Sequence, residues 1–226
     1  MQLEHGAIGI TCAKLGEAEV LVHAGVHDVL IANQVVAPPR LARLASLCHL
    51  AEVKVCVDGE ENLRDLSRAA VAAGSKIGVL VEADVGMGRS GTRSAAATAE
   101  LASLAASLAG IEFRGIMGYE GHAVFRVSRE ERTTACRAAN ALLLEHAAAV
   151  RHRGLPCPIV GAGGTGTYDI SGSCPGITEI QAGSYVFMDA TYRRLLPEFV
   201  PALTVLTSVV SRPEPSRAVV DLGMKS

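Results

Sequence analysis

Short apolar runs separated by longer amphipathic stretches, repeated from the first residues to about position 187, constrain this chain more than any other feature. A strand covered on both faces is apolar throughout, while the helix that covers it needs only one apolar stripe. The alternation therefore points to βαβ units and a parallel sheet. The strand-like runs are residues 7–12, 28–32, 53–57, 76–82, 113–118, 158–160 and 178–187. Between them, 15–24, 40–50, 61–73, 95–108 and 129–153 have helical periodicity and helix-forming composition. The longest opens with Ser128-Arg129-Glu130-Glu131, a capping box in which the serine hydroxyl and a glutamate carboxylate each satisfy an orphan amide.

A closed (β/α)8 barrel needs eight strands and typically about 250 residues. Seven runs beginning almost at Met1 predict an α/β fold, a TIM-type barrel lacking its first strand. An open doubly wound sheet is the alternative. The barrel is preferred because glycine-rich polar residues recur at the ends of the later strands, where barrel active sites are built. On this reading residues 1–200 form the barrel, and 201–226, with strand-like stretches at 203–210 and 218–221, begin a C-terminal β domain.

The apolar content of 49% is carried by Ala, Val, Leu and Ile, which argues against disorder. A formal charge of -2 with scattered basic residues provides no field to gather nucleic acid or anionic lipid. No apolar run reaches the roughly 18 residues of a membrane span, and the first residues lack a secretory signal, so the expected location is the cytoplasm. Six cysteines lie far apart without a C-x-x-C pair, which predicts reduced thiols and no zinc site of closely spaced Cys and His.

Gly161-Ala162-Gly163-Gly164-Thr165-Gly166-Thr167-Tyr168 follows the sixth run. Glycines let backbone amides approach an anion, threonine hydroxyls add donors, and barrels commonly hold phosphate after their last two strands, so a phosphate-bearing ligand is expected. A tight ligand-free turn is the bland alternative. A second small-residue break, Gln181-Ala182-Gly183-Ser184-Tyr185, falls where a second phosphate loop belongs, although Gly183 fits a bulge or packing glycine equally well.

After the fourth run, Asp84-Val85-Gly86-Met87-Gly88-Arg89-Ser90-Gly91 presents one arginine able to hold an anionic oxygen, against the common fate of a solvated surface arginine. After the fifth, Met117-Gly118-Tyr119-Glu120-Gly121-His122 gathers an aromatic, a carboxylate and an imidazole, with His122 the natural general base and Glu120 or Tyr119 its orienting group. Lys14 ends the first run, where a covalent-catalysis lysine is one reading and an ion pair with Glu17 or Asp58 the other. Asn33-Gln34 reads as cofactor-facing or as a polar turn, with equal weight.

Taken together, Thr11-Cys12-Ala13-Lys14-Leu15-Gly16-Glu17-Ala18-Glu19, Ile31-Ala32-Asn33-Gln34-Val35-Val36, Asp84-Val85-Gly86-Met87-Gly88-Arg89, Gly118-Tyr119-Glu120-Gly121-His122, Gly163-Gly164-Thr165-Gly166-Thr167-Tyr168-Asp169 and Gln181-Ala182-Gly183-Ser184-Tyr185 resemble the D-threonine aldolase and D-serine dehydratase group of fold-type III enzymes. The resemblance implies an alanine racemase-like barrel binding pyridoxal phosphate. Arg89 would lie near the phenolic oxygen, Gln181 near the pyridine nitrogen, and Gly164, Thr165, Gly166, Gly183 and Ser184 around the phosphate, with Tyr119 and Tyr185 in the cofactor pocket. His122 would take the proton of the substrate hydroxyl, so that D-threonine yields glycine and acetaldehyde.

Two departures from the family pattern stand out. The family's Schiff-base lysine precedes the position of Gln2, and its divalent metal (Mn, Mg or Zn) takes ligands from a C-terminal β domain beyond Ser226. The implied partner is a small D-amino acid, with no nucleic acid and no membrane; a homodimer is among the assemblies this allows. Three alternatives remain beside an aldolase-type lyase. They are a D-serine dehydratase-like lyase, a non-catalytic pyridoxal phosphate binder, and a phosphate-sugar enzyme on an ordinary barrel.

Overall fold

The computed structural model describes residues 1–223; Lys225 and the last three positions of the expected β domain lie outside the described residues. The first unit, Met1–Gly183, is one seven-stranded parallel sheet in sequential order. Its strands are β1 (Ile10–Cys12), β2 (Asp28–Ile31), β3 (Glu52–Val57), β4 (Ile77–Glu82), β5 (Ile111–Met117), β6 (Ile159–Ala162) and β7 (Glu179–Ile180). Helices α1 (Leu15–His23), α2 (Pro38–Leu47), α3 (Glu60–Ala73), α4 (Ala95–Ser107), short α5 (Gly121–Val124), α6 (Arg129–His152) and short α7 (Tyr168–Gly172) join them. Sequential order without a switch point excludes the doubly wound alternative. The sheet curls, because residues of β1, β2 and β7 line one small cavity, but β1 and β7 do not pair.

Strand alternation sorts the core into two layers. Val29, Ile31, Val55, Val79, Val81, Ile116 and Val160 face outward, with helix residues such as Leu44, Leu66, Ala102 and Leu143 in the same buried cluster. Leu30, Cys56, Leu80 and Met117 form a smaller inward cluster. A bulge against Val79 and Leu80 sets Arg114 apart, so Gly115 pairs with Leu80 and Met117 turns inward. Gly115 has φ 143, and a Cβ there would come 2.0 Å from the Ile159 carbonyl oxygen, a close approach that only glycine permits. Below the inward cluster Lys54, 2% exposed, pairs with Asp28 at 2.6 Å and with Glu52 at 3.5 Å.

Some boundaries differ from the sequence expectation. The last run, expected over 178–187, is a strand of two residues, because Gly183 ends the unit and Ser184–Val186 forms a 3₁₀ turn. Only half of the box at Ser128 forms: its Oγ accepts the Glu131 N–H at 3.4 Å. All six cysteines are free.

The second unit begins at Ser184, upstream of the boundary expected at 200. It contains α8 (Ala190–Leu195), whose Asp189 cap accepts from the Thr191 and Tyr192 amides at 2.7 and 2.8 Å. An antiparallel hairpin follows, β8 (Val209–Glu214) with β9 (Arg217–Val220), exposed along its length.

Candidate active site

The polar groups singled out in the sequence gather where the strands of the first unit end. Glu82 closes β4 on the inward face and is 5% exposed. Its carboxylate accepts from Gln34 Nε2 at 2.5 Å and from Ser90 Oγ at 2.8 Å, and lies 3.9 Å from the Arg89 guanidinium. Gln34, just after β2, is thus tied to the 84–91 loop through one carboxylate.

Two more carboxylates shape that loop. Asp84 Oδ1 accepts the Gly86 and Gly88 amides at 3.1 and 3.0 Å, Asp84 Oδ2 pairs with Arg93, and Asp58 after β3 accepts the Gly91 amide at 2.9 Å.

Beyond β5 the three polar side chains diverge. Tyr119 lies over Gly164, where a Cβ would come 3.1 Å from its ring, and His122 lies over Gly86, where a Cβ would come 2.8 Å from Cε1. The expectation that Glu120 orients His122 is corrected. Glu120 is fully buried, and its oxygens accept from the Gly163 amide at 3.1 Å, Thr167 Oγ1 at 2.7 Å and Ser171 Oγ at 2.8 Å. Those donors sit on the other side of the segment, at the glycine-rich loop and α7, so this carboxylate organises the loop instead.

Gly161, Gly163 and Gly166 have the spacing of a dinucleotide fingerprint, but only the five-residue α7 follows them. In part the glycines serve close packing: a Cβ at Gly161 would come 2.6 Å from Gln181 Nε2. That amide nitrogen is buried and has no partner at hydrogen-bond distance, the Glu179 carboxylate being near but not bonded. Glu179, two residues earlier and therefore on the same strand face, is pushed up by burial, pulled down by Lys54, pushed up by Asp28 and eased by the nearby Gln181 amide.

Lys14 caps α1. Glu17 accepts its backbone amide at 2.8 Å, and among the described residues its ammonium makes no ion pair with Glu17 or Asp58. It lines a cavity of about 730 Å³ with Asn33, Gln34 and Arg40, which meets the Glu82 cluster only through Gln34. Thr165 and Thr167 are buried in the glycine-rich loop. Gly183 ends the first unit; Ser184 and Tyr185 open the second, with the Tyr185 ring 6.1 Å from that of Phe199. Among the described residues no group of three or more His, Cys, Asp or Glu gathers to hold a metal ion, and no helix is long and apolar enough to cross a membrane.

Sequence reasoning passed over Glu82, the bond by which Asp58, named there only as a partner for Lys14, holds the 84–91 loop, and the loop-facing role of Glu120. Glu82 had one legible signal, a carboxylate on the inward parity of a buried strand. Nothing in the spacing of Glu120, Thr167 and Ser171 shows that they meet.

Residues 1–191 match the family model described as alanine racemase, N-terminal domain. The chain is 42% identical over 229 aligned positions to a D-threonine aldolase of an Arthrobacter species, covering all of this chain and 60% of the relative. It is 39% identical to a 3-hydroxy-D-aspartate aldolase of Paracoccus denitrificans, covering 98% of this chain and 60% of that protein. The crystal structure of D-threonine aldolase from Filomicrobium marinum superposes with a TM-score of 0.94 at 39% identity, covering 99% of this chain and 62% of that one. The chain thus spans about 60% of the length of the curated relatives it matches. With its curled parallel sheet and its polar strand ends, and in line with the D-threonine aldolase resemblance, this chain belongs to the alanine racemase N-terminal domain family.

Proposed function

We propose that the protein is a pyridoxal phosphate-dependent lyase of the D-threonine aldolase type, which cleaves β-hydroxy-D-amino acids to glycine and an aldehyde in the cytoplasm. The observation that carries this reading is the Gln181 amide nitrogen, buried on Gly161 at the end of β7 with no partner at hydrogen-bond distance, the Glu179 carboxylate on the same face being near it but not bonded. An unsatisfied buried donor is costly, and an aromatic ring nitrogen placed against it would satisfy it. The other donors suit the same cofactor. Arg89, turned by Glu82, serves a phenolic oxygen; Thr165 and Gly166 serve a phosphate, with Gly164 shaping the loop through its amide's bond to Thr167 Oγ1; Tyr119 walls the pocket over Gly164. Gly183, at the end of the first unit, joins the phosphate contacts in this proposal.

When bound, pyridoxal phosphate supplies an electron sink for the pair released as the Cα–Cβ bond breaks. The chain's own residues bind and orient. Gln181 donates to the ring nitrogen, Arg89 holds the phenolic oxygen, and His122 accepts the proton of the substrate hydroxyl at a ring nitrogen. A divalent metal, expected from the resemblance, would take its ligands from outside this chain.

Titration with pyridoxal phosphate, followed by absorbance and then by borohydride and mass analysis, tests the binding. Saturable binding weakened at least about tenfold by Gln181→Leu is expected, and any lysine fixed by borohydride identifies the covalent anchor, Lys14 included. A spectrum of free cofactor throughout overturns the proposal. Supplied with D-threonine, the loaded protein should release glycine and acetaldehyde in equal amounts; 2-oxobutanoate in their place would move it to the dehydratases.

A further inference from the structure

We propose that Glu120 is a positioning residue for the cofactor's phosphate, holding the 163–167 loop in the shape that receives a phosphate monoester. The inference rests on the reading that phosphate lies in this loop. Glu120 has no exposed surface, and its contacts are neutral donors that converge from three segments. The Gly163 amide reaches Oε2 at 3.1 Å; Thr167 Oγ1, Ser171 Oγ and the Cys136 thiol reach Oε1 at 2.7, 2.8 and 3.6 Å. Burial pushes that thiol up to about 12, so it stays a donor.

Gly163 and Thr167 stand at the two ends of the loop, and the Gly164 amide is in turn taken by Thr167 Oγ1 at 3.1 Å. Ser171 on α7 is itself fixed by Asn140 Nδ2 of α6 at 3.1 Å. One carboxylate therefore sets both ends of the loop and the helix after it. A buried charge is an expensive way to fill space, and apolar side chains would do so at lower cost. What a carboxylate adds is a direction imposed on each N–H and O–H around it. Its place at the end of β5 ties the loop to the rigid sheet, so the loop need not be ordered by the ligand.

Glu120→Gln keeps the volume and breaks the pattern. The Gly163 amide cannot reverse, so the glutamine oxygen must face it, and the new NH2 meets the Thr167 and Ser171 hydroxyls. Thr167 then has to redirect its proton, with the Gly164 carbonyl 3.4 Å away as the alternative acceptor.

Dissociation constants of pyridoxal phosphate and of pyridoxal, which lacks the phosphate, are to be measured for the full chain, Glu120→Gln and Ser171→Ala, with inorganic phosphate as competitor and circular dichroism as the check on folding. The unaltered chain should prefer pyridoxal phosphate and lose it to inorganic phosphate. Glu120→Gln should weaken pyridoxal phosphate by about 10- to 100-fold and Ser171→Ala by about 3- to 10-fold, each leaving pyridoxal within about twofold. If the unaltered chain keeps its phosphate preference while Glu120→Gln weakens both ligands equally, or neither, the positioning role is overturned alone. If the unaltered chain shows no such preference, the phosphate site itself is overturned and the inference with it. Should Glu120→Gln not fold, Ser171→Ala decides: a loss confined to the phosphate ligand supports the role, and an equal loss or none overturns it.

Discussion

Glu82 at the end of β4 and Glu120 just past β5 are both buried, and the chain uses them in opposite ways. Glu82 faces inward among Gln34, Ser90 and the half-exposed Arg89, so its charge orients groups that a ligand would meet. Glu120 faces away from that space, toward Gly163, Thr167 and Ser171, and shapes backbone. The residue type is the same and the strands are neighbours. What separates the two roles is which donors the topology delivers to each carboxylate, and whether one of them carries a charge.

Removal of Glu120 breaks the comparison most sharply. Glu120→Ala leaves an amide and two hydroxyls without their common acceptor, and a loss of about 3–4 kcal/mol in unfolding free energy is expected. Urea denaturation of the purified chain measures it, and a loss below about 1 kcal/mol would show that the network carries little weight. Glu82→Ala should cost less, about 1–2 kcal/mol, because Gln34 is only partly buried and Arg89 can turn to water. Its larger effect belongs to Arg89, and the absorbance of bound pyridoxal phosphate should shift although the fold stands. An unchanged spectrum would remove Arg89 from the phenolic oxygen.

The smallest effect concerns what lies behind the β4 end. Thr92 Oγ1 donates to the Glu82 carbonyl at 3.2 Å and meets Thr98 Oγ1 at 2.5 Å; Thr98 in turn meets His146 Nδ1 at 2.6 Å. Burial lowers the His146 pKa below 6.5. The unfolded chain therefore binds the proton more readily than the folded one, and stability present above pH 6.5 is lost as pH falls toward the lowered value. The difference in urea midpoint between the unaltered chain and His146→Gln should change below pH 6.5 and stay constant above it. A flat difference from pH 7.5 to 5 would show that His146 does not titrate with folding.

The legible part of this molecule is the part that hydrophobic periodicity governs. The seven runs became seven parallel strands in order, because a buried strand must be apolar along its length whatever lies beside it. The run at 178–187 was overextended because its apolar residues continue past Gly183, where the first unit ends, and periodicity has no term for that break. Two of the helices, α5 and α7, are four and five residues long, too short to carry a period.

At the site, the residue types and their strand ends were determined by sequence alone. Arg89, Tyr119, His122 and the glycine-rich loop all follow runs whose ends could be read directly, whereas Gln181 lay inside the overextended run at 178–187. Pairing was not. Gln34 and Glu82 are separated by 48 residues, Glu120 and Ser171 by 51, and no local pattern encodes a contact at that range. Glu120 was expected beside His122 because a single residue separates them in sequence, yet the turn after β5 sends their side chains apart. Local chemistry determined which groups the chain can offer, and only the curl of the sheet, through contacts between distant strand ends, decided which of them meet.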